Sequence, residues 1–224
     1  MNLEQARTNM VEQQIRTWEV LDQDVLDLLY TVPREEFVPP EYRNLAFTDM
    51  EIPIGEGERM WAPKVEARVL QELTVKRTDR ILEVGTGSGY LTALLAHRAA
   101  HVYSVEIRPT LAAAGQANIA RHGVDNVTLE VADGARGLPP GFPYPGPYDI
   151  VVLTGSVPML PRALLAALAP GGRAFAVIGE VPLMTASIVS RTAHGSPPSF
   201  RTTALFETVI APLANCEQPS RFSF

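Results

Sequence analysis

The sequence predicts an α/β protein built on a parallel sheet, and three features predict it. Strand-like apolar runs alternate with helical stripes over residues 80–178, a glycine-rich loop follows the first of those strands directly, and carboxylates stand at the ends of the next two. Alternation of this kind places helices on the faces of a parallel sheet. The 224 residues, 46% apolar and 20% charged, have the composition of a soluble globular chain and suffice for one large domain with an appendage.

Taken in order, residues 3–17 predict a polar helix, and Leu21, Val25, Leu28 and Leu29 fall at i, i+4, i+7 and i+8, a second helical stripe. Pro33 and Pro39 flank a short run, and Pro53-Ile54-Gly55-Glu56-Gly57 predicts loops rather than a regular element. Pro63 can open a helix that carries Val65, Val69 and Leu73. The alternating part then reads as a strand at 81–84, a helix with Leu91, Leu94 and Leu95, a strand at 102–105, and a helix from Pro109 closing at Gly123. Strands at 127–131 and 148–153, a helix around 160–168, the turn Pro170-Gly171-Gly172 and a strand at 174–178 follow. Five prolines in the nine residues 139–147 predict a surface loop. Two closing strands, 185–189 and 204–209, flank the turn His194-Gly195-Ser196-Pro197-Pro198.

A net charge of −6 provides no field for a phosphate backbone, and no basic run with interleaved aromatics occurs, so nucleic-acid binding is not expected. The single Cys216 can build neither an internal disulfide nor a cysteine metal site, which fits a reducing, cytoplasmic setting. Residues 1–17 mix charges among their apolar positions, and no apolar run approaches the roughly 20 residues that span a bilayer, so neither signal peptide nor membrane anchor is expected. His97 and His101 have a zinc-like spacing without its glutamate, no nucleophile elbow surrounds any serine, and no metal is predicted.

The run Glu83-Val84-Gly85-Thr86-Gly87-Ser88-Gly89-Tyr90 links a strand to a helix, where glycines let backbone approach a ligand closely. Its G-x-G-x-G spacing departs from the dinucleotide fingerprint and argues against NAD. Glu106, 21 residues past Gly85, can accept both hydroxyls of a ribose, and Asp133 at the next strand end can meet an adenine amino group. Glu83 has two readings, a cofactor contact or a carboxylate at the core edge.

These residues, with Val131-Ala132-Asp133-Gly134, resemble the cofactor motifs of S-adenosylmethionine-dependent methyltransferases. Residues 10–15, 32–39, 52–57 and 102–106 further resemble protein-L-isoaspartate O-methyltransferase, and 206–213 resembles that family's closing strand. The resemblance implies a doubly wound, mostly parallel seven-stranded sheet with its last strand antiparallel. It implies a helical N-terminal extension with a substrate loop at 1–62 and a cofactor domain at 63–224, forming one structural unit. It implies Glu83, Gly85, Thr86, Gly87, Gly89, Tyr90, Glu106, Ile107, Asp133, Gly134 and Thr154 as cofactor-binding, and Ile54, Gly55, Met60, Trp61 and Pro63 as substrate-binding. The implied reaction is methylation of the carboxylate of isoaspartyl residues in damaged proteins.

Members of that family usually carry Thr-Ile-Ser-Gln-Pro here, with the serine lining the active site. In this chain Arg59 falls on the threonine, Trp61 on the serine and Ala62 on the glutamine, while Pro63 keeps the register. Trp61 thus takes the catalytic position, where an aromatic face near a sulfonium can stabilise it by about 0.5–2 kcal/mol; packing against the N-terminal helices is its other reading. A methyltransferase of this fold with a different acceptor, a non-catalytic binder of the cofactor or its demethylated product, and an NAD-linked oxidoreductase are the competing functions.

Overall fold

The computed structural model describes residues 2–195 and 197–218. Five strands run parallel at the centre: β3 (Arg80–Val84), β4 (His101–Glu106), β5 (Val127–Val131), β6 (Tyr148–Leu153) and β7 (Leu168–Glu180). With β8 (Leu183–Arg191) and β9 (Phe200–Glu207) they form one seven-stranded sheet, ordered β5-β4-β3-β6-β7-β8-β9. Strand order reverses at β3, so its carboxyl end opens the crevice in which such sheets bind ligands.

The antiparallel strand is β8, not the last one as expected, because β8 pairs antiparallel with both β7 and β9. Only Val181 and Pro182 connect β7 to β8, and residues 192–199 connect β8 to β9. Neither link can hold the crossover that a parallel neighbour needs, so the chain reverses twice and β9 again runs with the central five. Ser196 of the expected turn lies outside the described residues, and residues 208–213 lie beyond β9 rather than in it.

The helices α3 (Pro63–Leu73), α4 (Tyr90–Arg98), α5 (Pro109–Arg121) and α6 (Arg162–Ala166) occupy the connections, after α1 (Leu3–Met10) and α2 (Gln23–Thr31). Pro63 is the first residue of α3, where a missing N–H costs nothing. The first expected helix is interrupted: α1 passes into a π-helical turn at Val11–Ile15 and a 3-10 turn at Arg16–Trp18, and the widened turn buries both Val11 and Ile15. The expected helix around 160–168 shortens to α6 because Leu168 already pairs with Tyr148, and Pro170-Gly171-Gly172 is a bulge within β7. Residues 139–147 form no helix or strand, as their prolines require.

Residues 52–60 correct the expectation of loops. β1 (Ile52–Gly55) and β2 (Glu58–Met60) pair as an antiparallel ribbon. Gly55, Glu56 and Gly57 all have positive φ, which closes a tight reversal, and Pro53 is tolerated because a two-stranded ribbon leaves its nitrogen at an edge. The N-terminal helices share one apolar core with α3 and α4, Met10, Leu29 and Phe37 packing in the same cluster as Leu70, Tyr90 and Leu94. A second cluster, including Leu82, Val151, Phe142 and Leu164, covers the other face. No helix among the described residues is long and apolar enough to cross a membrane.

Gly89 fixes how α4 and α5 meet. Its φ is +82°, and a Cβ there would stand 2.9 Å from the Gly115 carbonyl of α5. Gly89→Ala is expected to lower unfolding stability by about 1–3 kcal/mol in a urea titration, whereas alanine at the unobstructed but also left-handed Gly123 should cost less.

Candidate functional site

The loop after β3, the ends of β4 and β6, and the segment after β5 converge on one cavity, which the β1–β2 ribbon and residues 211–214 wall from the other side. Gly85 begins the loop at φ +102°, and the Thr154 Oγ1 lies 2.1 Å from where its Cβ would be. That hydroxyl sits 2.9 and 2.8 Å from the carbonyls of Val84 and Gly85, tying the end of β6 to the loop. Ile54 of the ribbon reaches within 3.1 Å of a Cβ built on Gly87, so the ribbon lies directly over the glycines.

Glu106, at the end of β4, is held at both oxygens: Oε2 accepts the Gly87 N–H at 2.9 Å and Oε1 the Arg108 N–H at 3.0 Å. Each oxygen retains a lone pair for a further donor. Asp133 is held likewise, its Oδ1 accepting the Ala135 N–H at 3.0 Å and its Oδ2 the Asn215 amide at 2.9 Å. Ile107, Gly134, Thr86, Met60 and Trp61 complete the expected residues that line the cavity. Gly134 is obligatory there, since a Cβ would meet the Val105 side chain at 2.5 Å.

Five expected site residues lie off the wall. Glu83 is fully buried beneath the loop, on the face covered by α4, where its Oε2 accepts hydroxyls from Thr92 at 2.5 Å and Ser104 at 2.7 Å. Ser104 spends its proton on Glu83, so Thr86 donates to Ser104 across 2.6 Å and the carboxyl is linked to the loop. Its Oε1 has no partner, and burial pushes the carboxyl up to about 7 against the pull of the two hydroxyls. The reading of Glu83 as a core carboxylate therefore matches its position. Gly89 packs on α5, Gly55 sits at the exposed ribbon tip, Pro63 starts α3, and Tyr90 is buried under the Arg34 guanidinium, 5.0 Å from its ring centre.

Trp61 is 7% exposed, its ring at 68° to that of Phe175 of β7 with centroids 6.0 Å apart, and it belongs to the apolar cluster that also holds Met10, Ile15 and Leu29 of the N-terminal segment. Its carbonyl accepts from Arg34 Nη2 at 2.5 Å. Arg34 also donates to the Ala46 carbonyl at 2.8 Å and pairs with Glu66, another wall residue, whose carboxyl burial pushes up to about 8 while Arg34 pulls it back. Sequence reading missed Glu51, Glu66 and the segment 211–214 as wall residues, and noted Arg59 only as a departure from the family's run, without a role for it or Glu58. The segment docks through the Ala211 carbonyl, which accepts the Ser156 N–H at 2.9 Å, and the Leu213 N–H, which donates to the Ser156 carbonyl at 2.8 Å; no local motif marks it. Among the described residues, no cluster of three or more His, Cys, Asp or Glu side chains can hold a metal ion.

The family model described as protein-L-isoaspartate(D-aspartate) O-methyltransferase matches residues 5–217. A protein-L-isoaspartate O-methyltransferase of Methanoculleus marisnigri is 42% identical over 173 residues, 77% of each chain. One from Aeropyrum pernix is 40% identical over 195 residues, 85% of this chain and 74% of its own. A Plasmodium falciparum chain described as the same enzyme, crystallised with S-adenosyl-L-homocysteine, superposes with a TM-score of 0.76 at 22% identity, covering 92% of this chain and 96% of its own, a likeness of fold.

The raised Glu83 carboxyl predicts a pH dependence of stability. Folding holds its proton more tightly than the unfolded chain does, so its contribution is fully present below about pH 4.5 and is lost as pH rises through about 7. Glu83→Gln removes this dependence. Between pH 4.5 and 7, unfolding titrations should show the wild type losing up to about 3 kcal/mol relative to the variant.

Proposed function

The chain belongs to the protein-L-isoaspartate(D-aspartate) O-methyltransferase family, and from that membership we propose that it transfers a methyl group from S-adenosyl-L-methionine to the carboxylate of isoaspartyl residues in damaged proteins. One observation carries this reading: the glycine loop, Glu106 and the β1–β2 ribbon meet at a single cavity, in a chain whose family match spans both halves.

The residues present fit the cofactor. Gly85 leaves no room for a side chain, keeping bare backbone against the cavity, and Glu106 offers an acceptor on each oxygen for the two hydroxyls of a ribose. Asp133 accepts from an adenine amino group, with Ile107 and Gly134 beside it. When bound, S-adenosyl-L-methionine supplies a methyl group on a sulfonium sulfur. Ile54, Met60 and Trp61, carried by the ribbon, face the same space and hold the acceptor.

An acceptor carboxylate is already ionised at pH 7, its ordinary pKa being near 4, so no wall residue has to remove a proton. The anionic carboxylate and the cationic sulfonium become a neutral ester and a neutral thioether. The protein contributes orientation, which in well-aligned systems lowers a barrier by several kcal/mol. Trp61 excludes water from the acceptor side and offers an aromatic edge where the family usually has a hydroxyl. A different acceptor on the same fold is the second reading, favoured by that bulky residue at a position where a small donor is usual.

The test uses purified protein, labelled S-adenosyl-L-methionine and an isoaspartyl peptide beside its aspartyl twin. Base-labile methyl ester on the isoaspartyl peptide alone is expected; ester on neither, with cofactor binding intact by calorimetry, moves the function to another acceptor or to binding without turnover. Separately, Glu106→Gln should weaken S-adenosyl-L-homocysteine binding by roughly ten- to a hundredfold in calorimetry, because the amide nitrogen cannot accept a hydroxyl.

A further inference from the structure

The charges around the cavity are one-sided. Glu51, Glu58, Glu66, Glu106 and Asp133 are in its wall, and Arg59 is the one cationic side chain there among the described residues. Four of the five carboxylates are already answered elsewhere. Glu58 pairs with Arg108 at 2.5 Å, Glu66 with Arg34, Glu106 accepts two backbone N–H groups, and Asp133 accepts from Ala135 and Asn215.

Arg59 differs from every other cation near the site. It is exposed on β2, opposite Pro53, and among the described residues its guanidinium has no hydrogen bond and no ion pair within 4 Å. Its charge acts on Glu51, a half-buried carboxyl raised by desolvation and lowered by Arg59. Glu51, Glu106 and Asp133, which have no ion-pair partner within 4 Å among the described residues, favour a sulfonium and disfavour an anionic acceptor, and Arg59 is the wall residue that offers an ionised carboxylate the opposite charge.

We propose that Arg59 is the acceptor-recognition residue, its guanidinium pairing with the carboxylate of the incoming isoaspartyl residue; this rests on the function proposed above. A guanidinium can hold one carboxylate oxygen while leaving the other to accept the methyl group. Methylation neutralises the carboxylate, and the pairing that drew the acceptor in is lost from the product, which favours release. Attraction of this kind lies mostly in substrate capture, so it acts on KM and on salt dependence.

Arg59 carries no structural bond, so its replacement leaves the fold intact. The experiment compares wild type, R59Q and R59K on one isoaspartyl peptide with uncharged flanking residues, at low and at roughly 0.3 M salt. R59Q is expected to raise the peptide KM about tenfold at low salt and to flatten the decline of kcat/KM with salt, while the Kd for S-adenosyl-L-homocysteine stays unchanged. R59K should keep the salt dependence and recover only part of the KM. If the wild type labels the peptide and R59Q has the same KM and the same salt slope, the assignment of Arg59 is overturned and the function stands. If the wild type labels no isoaspartyl peptide, the function falls and this inference with it.

Discussion

The Arg34 guanidinium, 1% exposed, divides its donors among the Ala46 carbonyl, the Trp61 carbonyl and the Glu66 carboxylate, and lays its face on the Tyr90 ring. These four residues belong to the N-terminal segment, the end of the ribbon, α3 and the first turn of α4. A buried cation tolerates little displacement, because every donor it loses is left without water; removing one partner of such a pair typically costs about 3–5 kcal/mol. The planar fork fixes directions as well as distances, which a lysine ammonium would not. The N-terminal extension thereby holds the ribbon side of the cavity in register with the glycine loop.

The two sides of the cavity are built differently. One side is backbone and carboxylate at the carboxyl edge of a parallel sheet, where Glu106 and Asp133 are themselves fixed by neighbouring N–H groups. The other side is a short two-stranded ribbon that, among the described residues, pairs with no further strand, tied down by Arg34 at the Trp61 carbonyl and by the Arg108–Glu58 pair.

Beneath the loop, the chain Thr86, Ser104 and Glu83 shows how a polar group can serve a site without reaching it. Two hydroxyls, of Thr92 and Ser104, converge on one carboxyl oxygen and Thr86 joins through Ser104, while the second oxygen remains without a partner. Burial favours the protonated form, a neutral member of the core that fastens β3, β4 and α4 together. Glu106, one strand over, keeps its oxygens toward the cavity.

Much of this was legible from local spacing. Alternating strands and helical stripes announced the parallel sheet, and the glycines between a strand and a helix marked the loop that lines the cavity, because those signals depend on residues a few positions apart. Glu106 and Asp133 were readable for the same reason, one ending β4 and the other standing two residues past the end of β5. Tertiary structure decided what depends on partners distant in sequence. Glu83 and Glu106 look equivalent in the chain, but register assigns one to the helix-covered face and the other to the cavity. The direction of β8 followed from links too short for a crossover, the ribbon at 52–60 from pairing across its own glycines, and the wall at 211–214 from docking on Ser156. Sequence periodicity carries which way a side chain alternates, whereas only the packed sheet and its covering helices determine what that side chain faces.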